Sequence, residues 1–418
     1  MSGSTGSGGV CARRAEALAL AAAAAVVAAS ACGGGRDAKE AIAVRDSAGV
    51  GIVEVAEAVL DTLPQRSLDS GALVIGSLEG PPEYELHLAA SPWRLSDGRI
   101  VVANAQSEIR YYDAAGRHLR TVGSRGEGPG QYRQLWSLYP LEADSLLTYD
   151  VLGRVSILAP NGRFARFYAY PLRASGPLLQ WLPDRGAALY DDYSPRALSR
   201  IRGSDAVIQD TALLLVADAA GQVRDTLDRL PGVWWRVTRS GDDGVWFSGH
   251  PVLATASATV VAGHGDAFLL RWYRLGQGLT RITRVRAAPC PVTQRDVERE
   301  EADLLEMARR HPWVGREGPY RRPTHAENLP FITSLRLDHG GRTWVRRWAL
   351  DDDPRAPWTV FDSAGRPLAR IEMPGAFRPS DIGEDYVLGV FGGPESVDEV
   401  RRYRLSRAPG PAEAPGRR

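Results

Sequence analysis

The residues with chemistry to offer are seven histidines, three cysteines and a few acidic runs. The histidines are His87, His118, His250, His264, His311, His325 and His339. No pair has the H-E-x-x-H spacing that lets one helix present two imidazoles to a zinc ion. His264-Gly265-Asp266 is the most suggestive local group; a solvated or capping role is its plainer reading. Asp351-Asp352-Asp353 and Asp191-Asp192 carry oxygens suited to Ca²⁺, but such runs at strand ends also serve as solvated turns. No G-x-S-x-G elbow exists to support a hydrolase serine. The glycine-rich stretch Gly123–Gly130 precedes a strand rather than a helix and lacks the G-K-[ST] ending of a phosphate loop. It reads as a crossover between repeated units.

A second group sits in a stretch of different texture, residues 288–329. Thr293–Arg310 contains no Gly or Pro, and Val297, Leu304, Leu305 and Ala308 fall on one helical face. Thr293 is placed as N-cap with Asp296 at the third helical position. This helix is expected to pack on the rim of the scaffold. After it come Trp313 and Tyr320 among Arg309, Arg310, Arg316, Arg321 and Arg322. Arginine forks with aromatic neighbours can grip carboxylates, phosphates or a protein partner. These seven residues are the candidate partner-binding set.

The elements around these residues begin with an address. Arg13 and Arg14 precede the uncharged run Ala17–Ala31, and Ala29-Ser30-Ala31-Cys32 follows. A short positive stretch, an apolar run too short to span and small residues at a cleavage point make a secretory signal over residues 1–31. Cys32 directly after Ala31 resembles a bacterial lipobox, in which the thiol takes a lipid, although Ala29 stands where Leu is usual. An ordinary signal peptidase could cut the same bond. Residues 32–40, with Gly33-Gly34-Gly35, read as a flexible tether. Removing the signal takes Cys11, and acylation takes Cys32, so no internal disulfide is expected for Cys290. The chain has 51 Lys+Arg against 50 Asp+Glu, and removing residues 1–31 takes Arg13, Arg14 and Glu16, which balances the charge. Such a chain lacks the basic surplus of a nucleic-acid binder.

From about residue 41 the chain reads as all-β with a repeated four-strand unit. Pro92–Ser96, Arg99–Asn104, Glu108–Asp113 and His118–Val122 are joined by short turns, and the pattern returns over Leu135–Tyr170. The turn before the outermost strand is the marker: Asp113–Gly116, Ala159–Gly162, Asp218–Gly221, Leu275–Gly278 and Asp362–Gly365. Asp or Asn with a glycine free to take φ > 0 is what that turn needs. Taking out the 288–329 insert restores a period of about 45 residues, the signature of a β-propeller. A further copy, Asp46-Ser47-Ala48-Gly49, lies near the start, while the last unit ends after three strands. An N-terminal strand is therefore expected to close the last blade, removing exposed sheet edges. Gly51–Val55 is the candidate. The six blades are placed at 88–124, 134–172, 177–230, 250–287, 329–374 and 377–407 with 41–56. A seven-bladed reading counts Val233–Gly249 separately. Trp93, Trp136, Trp181 and Trp344 are expected to pack between blades. Residues 408–418 read as a disordered tail.

The stretch Gly123-Ser124-Arg125-Gly126-Glu127-Gly128-Pro129-Gly130-Gln131-Tyr132 resembles the inter-blade loop of NHL-type propellers, with Tyr132 for the usual Phe. Together with Val44–Val50, Leu95–Asn104, Gly341–Val345, Trp358–Asp362 and Val387–Val390, it is similar to a set of uncharacterised exported bacterial six-bladed propeller lipoproteins. The resemblance implies a TolB-like six-bladed architecture and no agreed activity. The reading that follows is a surface-tethered, monomeric module in the cell envelope, on the outer-membrane or periplasmic side. It would recognise a protein, peptide or glycan and need no cofactor. The alternative is a metal-dependent lactonase- or lyase-like enzyme with channel ligands such as Asn104, Asp150 and His250. A third reading is a structural module of an envelope assembly.

Overall fold

The computed structural model describes residues 41–406 except 70, 78, 151–152, 170–178, 183, 185, 192–204, 239–241, 311–323, 350–354 and 393–396. Six antiparallel blades follow one another along the chain. Blade 1 pairs Ala90–Arg94, Ile100–Asn104, Glu108–Tyr112 and His118–Val122 in sequence order, and blade 2 does the same from Leu135–Pro140 to Phe164–Ala169. Blade 3 runs from Leu179–Trp181 through the long pair Ala206–Ala217 and Val223–Val237 to Asp242–Gly244. The segment that a seventh blade would need is thus the end of blade 3. Blades 4, 5 and 6 begin at Pro251–Ala256, Ile332–Leu337 and Phe377–Ile382.

The core has the same count. Alternate residues of each strand face the two neighbouring blades, and the buried apolar residues fall into six clusters, one per interface. Leu95, Val101 and Tyr111 of blade 1 meet Leu135, Leu138 and Leu146 of blade 2. Trp344, Trp358 and Met373 of blade 5 meet Phe377, Val387 and Tyr403 of blade 6. Ile100, Val102 and Tyr112 of blade 1 meet Tyr386, Leu388 and Val390 of blade 6, which closes the ring. The four expected tryptophans do lie between blades. The Trp93 indole N–H donates to the Leu138 carbonyl at 2.8 Å, and Trp181 and Trp344 are buried.

Closure uses an N-terminal strand, but not the expected one. Leu73–Ile75 pairs antiparallel with Asp398–Arg404 as the fourth strand of blade 6. Gly51–Val55 instead lies in Val50–Ala56, which runs parallel to Gly278–Arg286 on the outer edge of blade 4, with Ile42–Ser47 outside it. Between them Gln65–Arg66 adds to the outer strand of blade 5. The N-terminal segment therefore straps blades 4, 5 and 6 in turn. The Asp46–Gly49 turn misled because it serves an ordinary hairpin: Asp46 accepts the Gly49 N–H at 3.1 Å, as any such turn would.

The insert helix spans Gln294–Arg310. Asp296 Oδ2 accepts from the Thr293 backbone N–H at 2.8 Å and from its hydroxyl at 2.7 Å, a short-armed capping box. Acidic Asp296 in the first turn complements the helix dipole. Rim packing holds only at the N-terminal end. Val297 is buried, whereas Leu304 and Leu305 are 37% and 45% exposed, which corrects the expectation for this face. Cys290, at the base of the insert, is buried and disulfide-bonded to a partner outside the described residues. The expectation of no internal disulfide is corrected accordingly. Residues 1–40, including Cys32, and the tail 408–418 also lie outside the described residues.

Ile75 is 1% exposed and fills the blade 6–blade 1 interface, while Val44 on the outer hairpin is 54% exposed. Ile75→Ala should cost about 2–4 kcal/mol of stability in urea titration, and Val44→Ala under about 0.5 kcal/mol. Equal effects would mean that the ring is not closed at 73–75.

Candidate functional site

Antiparallel blades sort their connections onto two ends. The first-to-second and third-to-fourth strand turns share one end, the turn end. The second-to-third turns and the crossovers into the next blade share the other, the crossover end. The two ends treat their polar residues differently.

At the crossover end, side-chain carbonyl and carboxylate oxygens hold the incoming backbone. Asn104 Oδ1 accepts the His87 N–H at 2.8 Å. Asp150 Oδ2 accepts Arg133 N–H at 2.8 Å and Gln134 N–H at 3.4 Å, with Arg154 at 3.7 Å. Asp398 Oδ2 accepts Ala89 N–H, and Asp266 Oδ1 accepts Gly249 N–H. Each satisfies amides that a tight crossover leaves without a ladder partner. Asn104 and Asp150, two of the suggested channel ligands, are engaged in this way; His250, the third, is exposed. The glycine-rich loop is a crossover too. Gln131 folds back so that its Oε1 accepts the Gly128 N–H at 2.9 Å, and a Cβ at Gly126 would come within 2.3 Å of that oxygen.

His264 and Asp266 complete the picture at this end. The Asp266 N–H donates to His264 Nδ1 at 3.2 Å, so Nε2 carries the hydrogen and donates to the Gly232 carbonyl at 2.9 Å. Burial holds the His264 pKa below its ordinary value. Asp266 Oδ2 accepts from the Trp234 indole and the Gln209 amide at 2.8 and 3.1 Å. Both side chains are committed to hydrogen bonds, the capping role that the plainer reading offered.

The turn end holds a group of another kind. In blade 5 the turn Asp338-His339-Gly340-Gly341 repeats the Asp-x-x-Gly geometry, with Gly341 at φ 76°. Asp338 is fully committed to it: Oδ1 accepts Arg342 N–H at 2.8 Å, and Oδ2 accepts Arg342 Nε–H and the Trp344 indole at 2.6 and 2.9 Å. His339 rides on this rigid turn, and its own N–H donates to the Ile382 carbonyl of blade 6 at 3.0 Å. Its ring reaches Asp381, with Nε2 2.8 Å from Oδ1.

Asp381 is 1% exposed. A register shift between Pro379 and Asp381 turns it inward beside buried Ile382, the re-aiming that a bulge produces. Its Oδ2 accepts the Tyr386 hydroxyl at 3.0 Å and the Arg94 backbone N–H, from blade 1, at 3.0 Å. One buried carboxylate thus joins blades 5, 6 and 1. It also polarises its neighbours. Pairing with Asp381 holds the His339 pKa above its ordinary value, against partial burial and Arg94. Burial and the same carboxylate push the Tyr386 hydroxyl well above its ordinary pKa. Tyr386 therefore stays neutral as a donor, and His339 takes its charge readily.

Cations gather over this base. The Arg94 guanidinium lies 5.1 Å from the Tyr386 ring centroid, a cation–π distance. Arg402 pairs in register with Leu388, two residues from Tyr386, so it shares that face. Burial, then Arg94 and Arg404, lower the Arg402 pKa. Arg336, on the inner strand of blade 5, gives its guanidinium to the Pro379 and Leu335 carbonyls. Arg94 and Arg402 make no ion pair among the described residues.

Of the sequence-derived partner set, Arg309 is exposed at the helix end, and nothing is described of the Arg310 side chain. Trp313, Arg316, Tyr320, Arg321 and Arg322 lie outside the described residues, as do Asp192 and Asp351–Asp353. The insert leaves from the crossover between blades 4 and 5, which opens at the opposite end from His339. Among the described residues no three His, Cys, Asp or Glu side chains group as metal ligands.

No protein-family model matches the chain, and no curated protein matches it. Among solved structures, a Bacteroides fragilis protein described by inference as exported aligns over 85% of this chain and 99% of its own, at 12% identity and TM-score 0.45. Streptogramin B lyase aligns over 77% and 96%, at 9% and 0.36. A Bacteroides caccae protein of unknown function aligns over 68% and 81%, at 11% and 0.35. Likeness at this level transfers no activity.

Asp381→Asn should drop the His339 pKa toward the ordinary 6.5, read by NMR titration of the ring. In the wild type the raised folded value adds stability that is fully present below the unfolded pKa and is lost as pH rises through the folded one. An unchanged His339 titration in the variant would refute the pairing.

Proposed function

We propose that the protein is an exported, lipid-tethered propeller of NHL/TolB-like type that acts as a binding module for a protein, peptide or glycan. Cys32 carries the anchor in the cell envelope, and the propeller presents one of its ends to the ligand. The observation that carries this reading is the turn-end group, where Arg94 and Arg402 have no ion-pair partner among the described residues and stand over a fixed base of Asp381, His339 and Tyr386. Cations with no structural anion to satisfy are what a recognition surface offers. The Arg309–Arg322 set of the insert is a second contact region.

The enzyme alternative draws less support. Asn104 and Asp150 would have to leave the crossover amides they hold before they could ligate a metal. The Asp381–His339 pair has acid–base capacity, so the reading needs a test that sees turnover as well as retention.

Glycan and peptide arrays should retain intact ligands on the purified propeller, with product-free eluates by mass spectrometry. Conversion of a retained ligand would replace the binding reading with the enzymatic one. For the anchor, wild-type protein made in a bacterium should take up palmitate and fractionate with membrane, and Cys32→Ser should do neither. Cys290 is disulfide-bonded, and Cys32 is the one other cysteine that signal cleavage would leave, so palmitate uptake also decides whether lipid or disulfide holds the Cys32 sulfur.

A further inference from the structure

We infer that Arg94, Arg402 and His339 form an oxyanion site at the turn end, between blades 6 and 1, which takes the carboxylate or phosphoryl group of the ligand. The inference rests on reading the propeller as a binding module and names the chemistry of its recognition. Three features carry it. The first is geometry: Arg94 stacks on Tyr386 from blade 1 at 5.1 Å, and Arg402 faces the same gap from blade 6. Arg94 also hydrogen-bonds the Tyr386 side chain, and a guanidinium has five N–H donors, so others remain for an acceptor. The second is charge. Asp381 sits beneath the group with Oδ2 committed to Tyr386 and the Arg94 backbone, so it fixes His339 rather than cancelling the arginines. Asp385, exposed on the following turn, is the other carboxylate bearing on Arg402. The third is rigidity: His339 is held by a turn whose Asp338 makes three hydrogen bonds, and its backbone is tied to Ile382. A site whose donors are already placed loses little order on binding.

The groups facing His339 are Asp338 on its own turn, Asp381 and Tyr386 of blade 6, and Arg94 of blade 1. Protonated His339 adds a third cation, so anion affinity should fall as pH rises through its raised pKa. The probes are inorganic phosphate and glucuronate, each titrated calorimetrically into the described propeller within the full mature chain. At least one should bind below about 10 mM, several-fold tighter near about pH 5.5 than near about pH 8. Arg94→Gln with Arg402→Gln should lose tenfold or more, Arg94→Lys should lose less, and Arg355→Gln, in an exposed pair with Glu372, should change nothing. His339→Gln should flatten the pH dependence. Phosphate alone binding assigns a phosphoryl ligand, glucuronate alone a carboxylate, and both the shared oxyanion chemistry. Binding of neither probe, or equal binding by the double variant with an unchanged unfolding midpoint, overturns the site. Array ligands retained equally by that variant would leave the binding module standing and remove only this assignment.

Discussion

The constraint on which the molecule depends is that a ring of sheets must have no free edge in its core. Six blades pack face to face, and the interface between the last and the first forms only if both are complete. Leu73–Ile75 completes the last one with Ile75 buried against blade 1. Everything at the turn end between blades 6 and 1 follows from that seam. Arg94 and Asp381 are 287 residues apart in the chain, and closure alone brings the N–H of one to the carboxylate of the other.

The two ends of the ring use the same chemistry to different effect. At the crossover end, Asn104, Asp150, Asp266 and Asp398 meet backbone amides, and their oxygens are satisfied locally. At the turn end Asp381 meets a side chain that titrates, so its burial is expressed as a raised affinity of His339 for a proton. A buried carboxylate without such partners would be costly; here the hydrogen bonds from Tyr386 and Arg94 offset that cost and set the imidazole in place.

Much of the fold was legible because it rests on local rules. The Asp-x-x-Gly turns declare themselves through φ > 0 at Gly116, Gly221 and Gly365 and through Asp side chains that cap their own turns. The strands of blade 1 fall within two residues of their expected bounds. The closing strand was not legible, since three residues at 73–75 and two at 65–66 carry no readable period. The site was legible only in fragments. Asp338-His339-Gly340-Gly341 fits the turn pattern, and a histidine at its second position was a usable signal. Asp381 had none, because a bulge rather than alternation aims it. The Arg309–Arg322 segment was picked out by composition alone, and its residues beyond Arg310 lie outside the described residues.

The N-terminal straps have a mechanical consequence. A load applied ahead of residue 42 meets the Ile42–Ala56 hairpin on blade 4 first, then the two-residue hold on blade 5, and only then the seam at Leu73–Ile75. The three attachments lie in series, so the outer ones must yield before force reaches the strand that keeps the ring shut. The segment works as a sacrificial fuse, and the seam between blades 6 and 1 takes load only after both outer holds have yielded.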